Sequence, residues 1–485
     1  MSNKSNLLFD KSEPGRIGFS LPDSDCPAIE VKSKIDSGLL RAEKLLLPEL
    51  SEPELVRHFT NLSSKNHHID KGFYPLGSCT MKYNPKINDM IAGFNNFKNI
   101  HPLQDISSIQ GCLELIYNLE IILNKITGMH STTLQPSAGS QGEFAGILVM
   151  SKYHQTKGNN KNNIIIPESA HGTNPSSVIL GGFNPIKVGT DSNGRVDIDD
   201  LKSKVDENTA GMMLTQPNTL GLFENKIEEI SKIIHSVDGL MYMDGANLNA
   251  LLGVARPSDM GFDITHINLH KTFSTPHGGG GPGAGPIAVV EKLSDFLPNP
   301  RIVKEDDKFH FCNNSENSIG RLHSFYGNFL VLVRAYCYIL SLGDSGLKKM
   351  SKIAILNANY LKKKLEKIYD IPYPNGTMHE FVISALKQKN RGAKALDIAK
   401  SLLDYGYHSP TIYFPINVPE SVMIEPTESE NKETLDDFAK SMIEIDNLID
   451  TNLDKILDAP INTPVGRLDE TKANRELDLN FYSKD

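Results

Sequence analysis

Lys271 stands at the end of an apolar run in DITHINLHKTFSTPHGGGGPGAGP (Asp263 to Pro286), and a Gly/Pro loop from Gly278 to Pro286 follows it. A lysine leaving a strand, facing glycines that make room for a phosphorylated ring, is the arrangement expected for a Schiff base with pyridoxal 5'-phosphate (PLP). Other segments offer what such a ring would need. His171 in PESAHGTNP supplies a flat ring for stacking, with Thr173 two residues on. Asn218 in TQPNTLGLFE supplies an amide for a phenolic oxygen, and Asp244 in MDGANLNA a carboxylate to keep a pyridine nitrogen protonated. His270, beside the lysine, is expected to act as a tuning cation or a hydrogen-bond donor. In QPSAGSQGEFAG, Pro136 to Gly139 form a turn and Ser140 or Gln141 opens a helix. Unbonded N–H groups at that helix start, with the hydroxyls of Ser137 and Ser140, make Ser137, Gly139, Ser140 and Gln141 a candidate phosphate cradle.

Competing chemistries fail on context. Gly278, Gly280 and Gly283 spell G-x-G-x-x-G, but the loop follows a lysine and runs into a strand (Ile287 to Val290), not a helix. No G-x-x-x-x-G-K-[ST] occurs. His266 and His270 are four apart, yet Ile267 stands where a zinc protease needs glutamate, so no metal site is expected.

The elements that must position these residues follow from periodicity. Apolar runs at Ile164 to Ile166, Ile186 to Val188, Met212 to Leu214, Leu240 to Met243 and Ile264 to Leu269 alternate with helical segments such as Ile227 to Val237. That alternation predicts an α/β fold with a mostly parallel sheet, whose ligands collect at the carboxyl ends of its strands. His171, Asn218, Asp244 and Lys271 all follow such ends. A helix is expected from Gly111 to Thr127, stopped by Gly128. Residues 298–320 read as polar and irregular, His323 to Leu342 and Leu347 to Tyr369 as two helices. Strands at Phe381 to Leu386 and Val422 to Ile424, with helices at Ala393 to Leu403 and Leu435 to Ile449, make a small α+β domain. The expected division is an N-terminal arm (1–100), a large PLP-binding domain (101–320) and a small C-terminal domain with a polar tail (321–485). In the arm, FYPLGSCTMKYNP (Phe73 to Pro85) reads as a packed loop, with Cys79 structural rather than chemical.

Bulk properties bound the partners. The 485 residues are 39% hydrophobic and 22% charged, with a formal net charge of −9, which disfavours nucleic acid or an anionic membrane as partner. Five scattered cysteines without C-x-x-C spacing fit a reducing compartment. The N-terminus has no apolar core of signal-peptide length, so a cytoplasmic location is expected.

A large domain, a smaller C-terminal domain and a lysine midway along the chain together resemble fold-type I (aspartate aminotransferase-like) PLP enzymes. More narrowly, FYPLGSCTMKYNP, QPSAGSQGEFAG, ESAHGTNP, TQPNTLGLFE, MDGANLNA, NLHKTFSTPHGGGGPG and SIGRLHSFYGNF, in this order from Phe73 to Phe329, closely resemble the C-terminal half of glycine dehydrogenase (decarboxylating), the P-protein of the glycine cleavage system. The resemblance implies an oxidoreductase, glycine dehydrogenase (aminomethyl-transferring), that decarboxylates glycine on PLP and passes the aminomethyl group to the lipoyl disulfide of the H-protein. At half the length of a fused P-protein, the chain resembles the second subunit of a two-subunit form, which implies a homologous subunit 1 and two copies of each. It further implies that Lys271 and His171 carry protons, and makes Arg321 in SIGR a candidate for glycine's carboxylate. The alternatives are another fold-type I enzyme, a cysteine desulfurase or an amino-acid decarboxylase, and a non-catalytic scaffold subunit. A desulfurase would need a reactive cysteine on a mobile loop, and none of the five is an obvious candidate.

Overall fold

A computed structural model describes residues 7–43, 45–277 and 283–478. The chain divides into two units at His68/Ile69. In the first, the only α-helix among the described residues is Glu52–Ser64. It starts on a capping box in which Glu54 Oε2 accepts from the Ser51 N–H (3.0 Å). Ile17, Phe19, Leu21, Leu39, Leu46 and Leu47 of this unit are exposed.

In the second unit the apolar runs pair into one seven-stranded sheet. Its strands are β1 (Ser131–Thr133), β2 (Asn163–Pro167), β3 (Asn184–Val188), β4 (Thr209–Thr215), β5 (Leu240–Gly245), β6 (Ile264–Ile267) and β7 (Ile287–Val289), in the order β1-β7-β6-β5-β4-β2-β3. Strands β3, β2, β4, β5 and β6 are parallel neighbours, and β7 is antiparallel to both β6 and β1. Met212, Met213 and Leu214 of β4 and Leu240 to Met243 of β5 are all buried, on both faces of the sheet, which is why these runs are continuously apolar rather than alternating. Helices Gln110–Thr127, Gly139–Thr156 and Ile227–His235 cover the faces. Gly128 ends the first of these in the left-handed region (φ 72°), as its position predicts.

Two expectations for residues 298–365 need correction. The polar stretch contains an antiparallel hairpin, β8 (Arg301–Glu305) with β9 (Lys308–Cys312). Its two-residue turn, Asp306-Asp307, has positive φ at both positions (46° and 63°), a conformation aspartate tolerates and hairpins favour. The helix expected from His323 begins only at Phe329 and runs to Leu365, with a single break at Gly343 (φ 60°, ψ −176°). By length and apolarity this helix could cross a membrane. Its Val331, Leu332, Ala335 and Ile339, however, pack into the core beside the sheet.

The same helix runs on from this core into a second one. Its Ala358, Leu361 and Leu365 enter a second core with Phe381, Ile383, Val422, Ile424, Phe438 and Met442. That core lies under a three-stranded antiparallel sheet of β10 (Phe381–Ser384), β12 (Ser421–Ile424) and β11 (Thr411–Ile412). Phe73 packs into it too, and the Gly77 N–H donates to Met423 O (3.3 Å). The FYPLGSCT segment is thereby anchored to the small domain, with Ser78 and Thr80 at its tip.

Candidate active site

The parallel sheet delivers Asp244 and Lys271 to one cavity of about 230 Å³. Asp244 ends β5 and stands in register with His266 of β6. Its side chain is 5% exposed. Oδ2 accepts from Asn174 Nδ2 (3.0 Å), Oδ1 accepts from the Ala246 N–H (3.1 Å), and His266 Nε2 lies 3.4 Å from Oδ1. Burial alone would push this carboxyl up. His266, Asn174, Lys271 and the Ala246 N–H together outweigh it and hold Asp244 below its ordinary range, so it is an anion at neutral pH. Lys271 lies in the short turn Leu269–Thr272 after β6, and its Nζ donates to Ser78 O (2.7 Å). It is the one lysine among the described residues lining the cavity.

Opposite these groups, helix Gly139–Thr156 begins at Ala138, which offers no side-chain cap. Its first N–H groups and positive dipole end lie at the cavity, where Gly139 and Ser140 form part of the wall. A Cβ on Gly139 would overlap the Asn268 amide. Asn268 Oδ1 and Thr215 Oγ1, both in the cavity wall, are buried without hydrogen-bond partners among the described residues. For the PLP expected from the sequence, Gly139→Ala should weaken binding about tenfold or more, in line with the usual penalty for forcing an extra methyl into a packed site. Equilibrium titration of the visible absorption would read this, with Gly111→Ala, whose Cβ meets nothing, as the unchanged control.

A third wall comes from the small domain and the FYPLGSCT loop. His379, Glu380 and Ser78 line the cavity. Glu380 Oε2 accepts from the Ser78 N–H (2.7 Å), and Glu425 Oε2 and Oε1 accept from the Thr80 N–H (3.0 Å) and Oγ1 (2.9 Å). Ser78 and Thr80 are held at positive φ (65° and 51°), backbone strain that these carboxylate bonds secure. Between them, burial pushes the Cys79 thiol up despite the nearby Lys271 ammonium, so it is no thiolate nucleophile.

With this geometry in place, relatives identify the lineage. A family model described as "Glycine cleavage system P-protein" matches residues 28–308, and one described as "Glycine dehydrogenase, C-terminal domain" matches residues 350–463. The chain is 53% identical to the probable glycine dehydrogenase (decarboxylating) subunit 2 of Staphylococcus saprophyticus, over 99% of this chain and 98% of that one. The chain belongs to the glycine cleavage system P-protein family. A second relative of the same name, from Chloroherpeton thalassium, is 52% identical over 99% of this chain and 98% of its own. In fold, this P-protein chain is similar to a crystal structure of glycine decarboxylase (P-protein) in inhibitor-bound form (TM-score 0.73, 17% identity, 85% of this chain and 94% of that one). It is also similar to a NifS-like protein (TM-score 0.60, 16% identity, 77% and 99%). The fold-type I architecture expected from the sequence is therefore correct, and membership in the P-protein family decides against the desulfurase and scaffold alternatives.

The P-protein geometry rearranges the expected site residues. Lys271, Asp244, His171, Thr173, Gly139, Ser140 and His270 all line the cavity. His171 sits at its exposed rim, edge-on to Phe414 (ring centroids 5.6 Å apart), with Nδ1 2.9 Å from Thr173 Oγ1. Thr173 Oγ1 in turn donates to Glu143 Oε1 (2.8 Å). Asn218 is not at the cavity. Its Nδ2 donates to Gly194 O (2.9 Å) and Glu224 Oε1 (2.8 Å), and its Oδ1 accepts from the Leu220 and Leu222 N–H groups, so the whole amide braces a turn. Ser137 and Gln141 are likewise engaged with each other: Gln141 Oε1 accepts from the Ser137 N–H (2.7 Å) and Oγ (2.9 Å). His270 is not a cation, because burial and the neighbouring Lys271 and His277 lower it to about 4. Arg321 is exposed, 6.0 Å from the Tyr326 ring centroid, and outside the cavity wall. Of the Gly278 to Pro286 loop expected to make room for the cofactor, residues 278–282 lie outside the described residues. The sequence reading missed Ser78, His379 and Glu380, whose only signals are a His-Glu pair entering an apolar run (MHEFVI) and a dense turn motif.

Proposed function

We propose that this chain binds PLP through Lys271 and decarboxylates glycine as one of two homologous P-protein subunits, passing the aminomethyl group to the lipoyl disulfide of the H-protein. The observation that carries the reading is the placement of Lys271 and an anionic Asp244, on adjacent strand ends, in one cavity with an uncapped helix start. These features fit PLP: a carboxylate for its ring nitrogen, N–H groups and a glycine for its phosphate, and buried orphan acceptors and hydroxyls for its remaining polar edge. When bound, PLP supplies an aldehyde that amines capture and a pyridinium ring that takes up the electron pair left by departing CO2.

The chain's own groups do the rest. Asp244 holds a proton at the ring nitrogen, and Gly139 and Ser140 N–H groups hold the phosphate. Lys271 Nζ would hold the cofactor through its aldehyde carbon and, as a free amine, would be a base within reach of the substrate atoms. His171 at the rim is a second proton carrier. Glu143 orients Thr173 and, through its other oxygen, accepts from Ser177 Oγ (3.0 Å). "Subunit 2" in the relatives' names supports a partner subunit; two copies of each chain is the assembly proposed. The exposed apolar side chains from Ile17 to Leu47 support an arm that a partner covers. Five unpaired cysteines support a cytoplasmic location. Borohydride treatment of the purified protein is the decisive experiment. It should quench the visible absorption and leave reduced PLP on the peptide containing Lys271. A label on any other lysine, or no visible band, would overturn the assignment.

A further inference from the structure

One side chain in the cavity has no use in the machinery above. His379 is 1% exposed and lines the cavity, yet neither of its ring nitrogens has a hydrogen-bond partner among the described residues. Its Nε2 is 3.8 Å from Glu380 Oε1, too far for a hydrogen bond. Two orphan polar atoms at the wall of a cavity are what remains when the group that satisfies them is a ligand. We propose that His379 and Glu380 form the seat for the carboxylate of the amino-acid substrate, binding it through an imidazole N–H and a carboxylic O–H instead of through a guanidinium. The inference rests on the PLP reading of the same cavity and assigns its substrate side.

Charge and chemistry agree on this seat. Among the described residues lining the cavity there is no arginine, and the lone lysine is taken up with the cofactor. Burial above all lowers His379 to about 3, so it is a neutral donor. Glu380 and Glu425 approach each other and His379 within 4.8 Å. Two carboxyls so close cannot both ionise cheaply at neutral pH. Glu425 accepts from Thr80 N–H and Oγ1, Asn247 Nδ2 and Asn249 Nδ2, whereas among the described residues Glu380 accepts from the Ser78 N–H alone. The proton therefore resides on Glu380, which burial and Glu425 raise to about 8 against the pull of Ser78 and Lys271.

A neutral seat also suits a reaction that expels this carboxylate. A guanidinium would add a full positive charge to the bonds that hold the ionised carboxylate and so bind it more strongly than neutral donors do. That stabilisation is lost as the charge leaves with CO2, so it would deepen the ground state and raise the barrier. Neutral donors orient the group without that penalty.

The test compares glycine with methylamine, which has the same amine and lacks the carboxylate, by titrating the visible spectrum of the PLP-loaded full-length chain purified with its homologous subunit. His379→Leu should weaken glycine about tenfold or more, the range for a hydrogen bond to a charged group, and leave methylamine unchanged. His379→Gln, which restores an N–H, should recover most of the loss. In the wild type, glycine affinity relative to methylamine should fall as pH rises through about 8, where Glu380 ionises and repels the substrate carboxylate. Glu380→Gln should remove that fall. A normal methylamine response with glycine affinity in His379→Leu within about twofold of wild type, or a flat wild-type pH ratio if that variant does not fold, overturns the carboxylate seat alone. A purified wild-type chain with no visible band to titrate after incubation with PLP overturns the PLP reading, and this inference with it.

Discussion

Lys271→Ala is expected to abolish the exchange of labelled CO2 with glycine, a loss of at least about 10³-fold on the scale set by removal of a positioned acid–base or nucleophilic group. The cavity offers no substitute amine among its described lining residues. The fold should tolerate the change, because Lys271 Nζ makes a single hydrogen bond, to Ser78 O, and the turn that carries it is set by backbone bonds such as Lys271 N–H to Asn268 O (3.0 Å). PLP should still bind without the covalent link, through Gly139, Ser140 and Asp244, and wash out on dialysis. Lys271→Arg separates charge from chemistry: it keeps a cation beside Asp244 and Glu380, but a guanidinium stays protonated and is no nucleophile. Equal inactivity of the two variants, with unchanged thermal unfolding, is the expected result. Undiminished exchange in either would remove Lys271 from the reaction.

The sheet and the residues at its strand ends were legible because both follow from short-range pattern. A fully buried parallel strand must be apolar at every position, as Leu240 to Met243 are, so its first polar residue marks the exit toward the ligand edge. Asp244 and Lys271 were found that way. The rule says where a segment emerges but not which way each side chain points. After β4, Thr215, Pro217 and Thr219 face the cavity while Asn218 turns inward to close its own loop. Ser137 and Gln141 fail for the same reason: a polar side chain at a helix start can serve a ligand or the neighbouring backbone, and local sequence does not distinguish them.

The small-domain wall was invisible for a different reason. Ser78 reaches Glu380 across 302 positions and Thr80 reaches Glu425 across 345, and no periodicity spans such distances. The FYPLGSCT motif looked like a packed loop and is one, but its packing partners are the carboxyls of the site. His270 shows that adjacency in sequence to a functional lysine says nothing of protonation. Burial, which pattern alone did not supply at that position, makes it neutral. The Asp306-Asp307 turn was hidden by composition, since two acidic residues in a polar stretch suggest solvent before they suggest a hairpin.

Asp244→Asn is the second large effect, and it bears on the electron sink directly. The variant keeps shape and volume but offers an amide where a fixed negative charge had held a proton on the ring nitrogen. Removal of such a preorganised electrostatic partner typically costs about 10²–10³ in the chemical step, so the turnover number should fall by that order. The glycine concentration dependence should change far less, because Asp244 serves the charge that develops as CO2 leaves and not the binding of the substrate. The site is also poised against the amide. Asn174 Nδ2 donates to one oxygen of Asp244 and the Ala246 N–H to the other, so an Asn at 244 must turn its own NH2 toward one of these donors. PLP affinity should therefore drop along with turnover. The pH profile of stability gives an independent reading. The Asp244 carboxyl is held below its ordinary value, so its ionised form contributes stability above the unfolded-state pKa that is lost as pH falls through the lower folded one. Asp244→Asn should accordingly flatten the acid limb of the unfolding midpoint against pH. Near-normal turnover in this variant would detach Asp244 from the ring, whereas lost turnover with an unchanged acid limb would mean that the carboxylate acts without the support of its Asn174 and His266 neighbours.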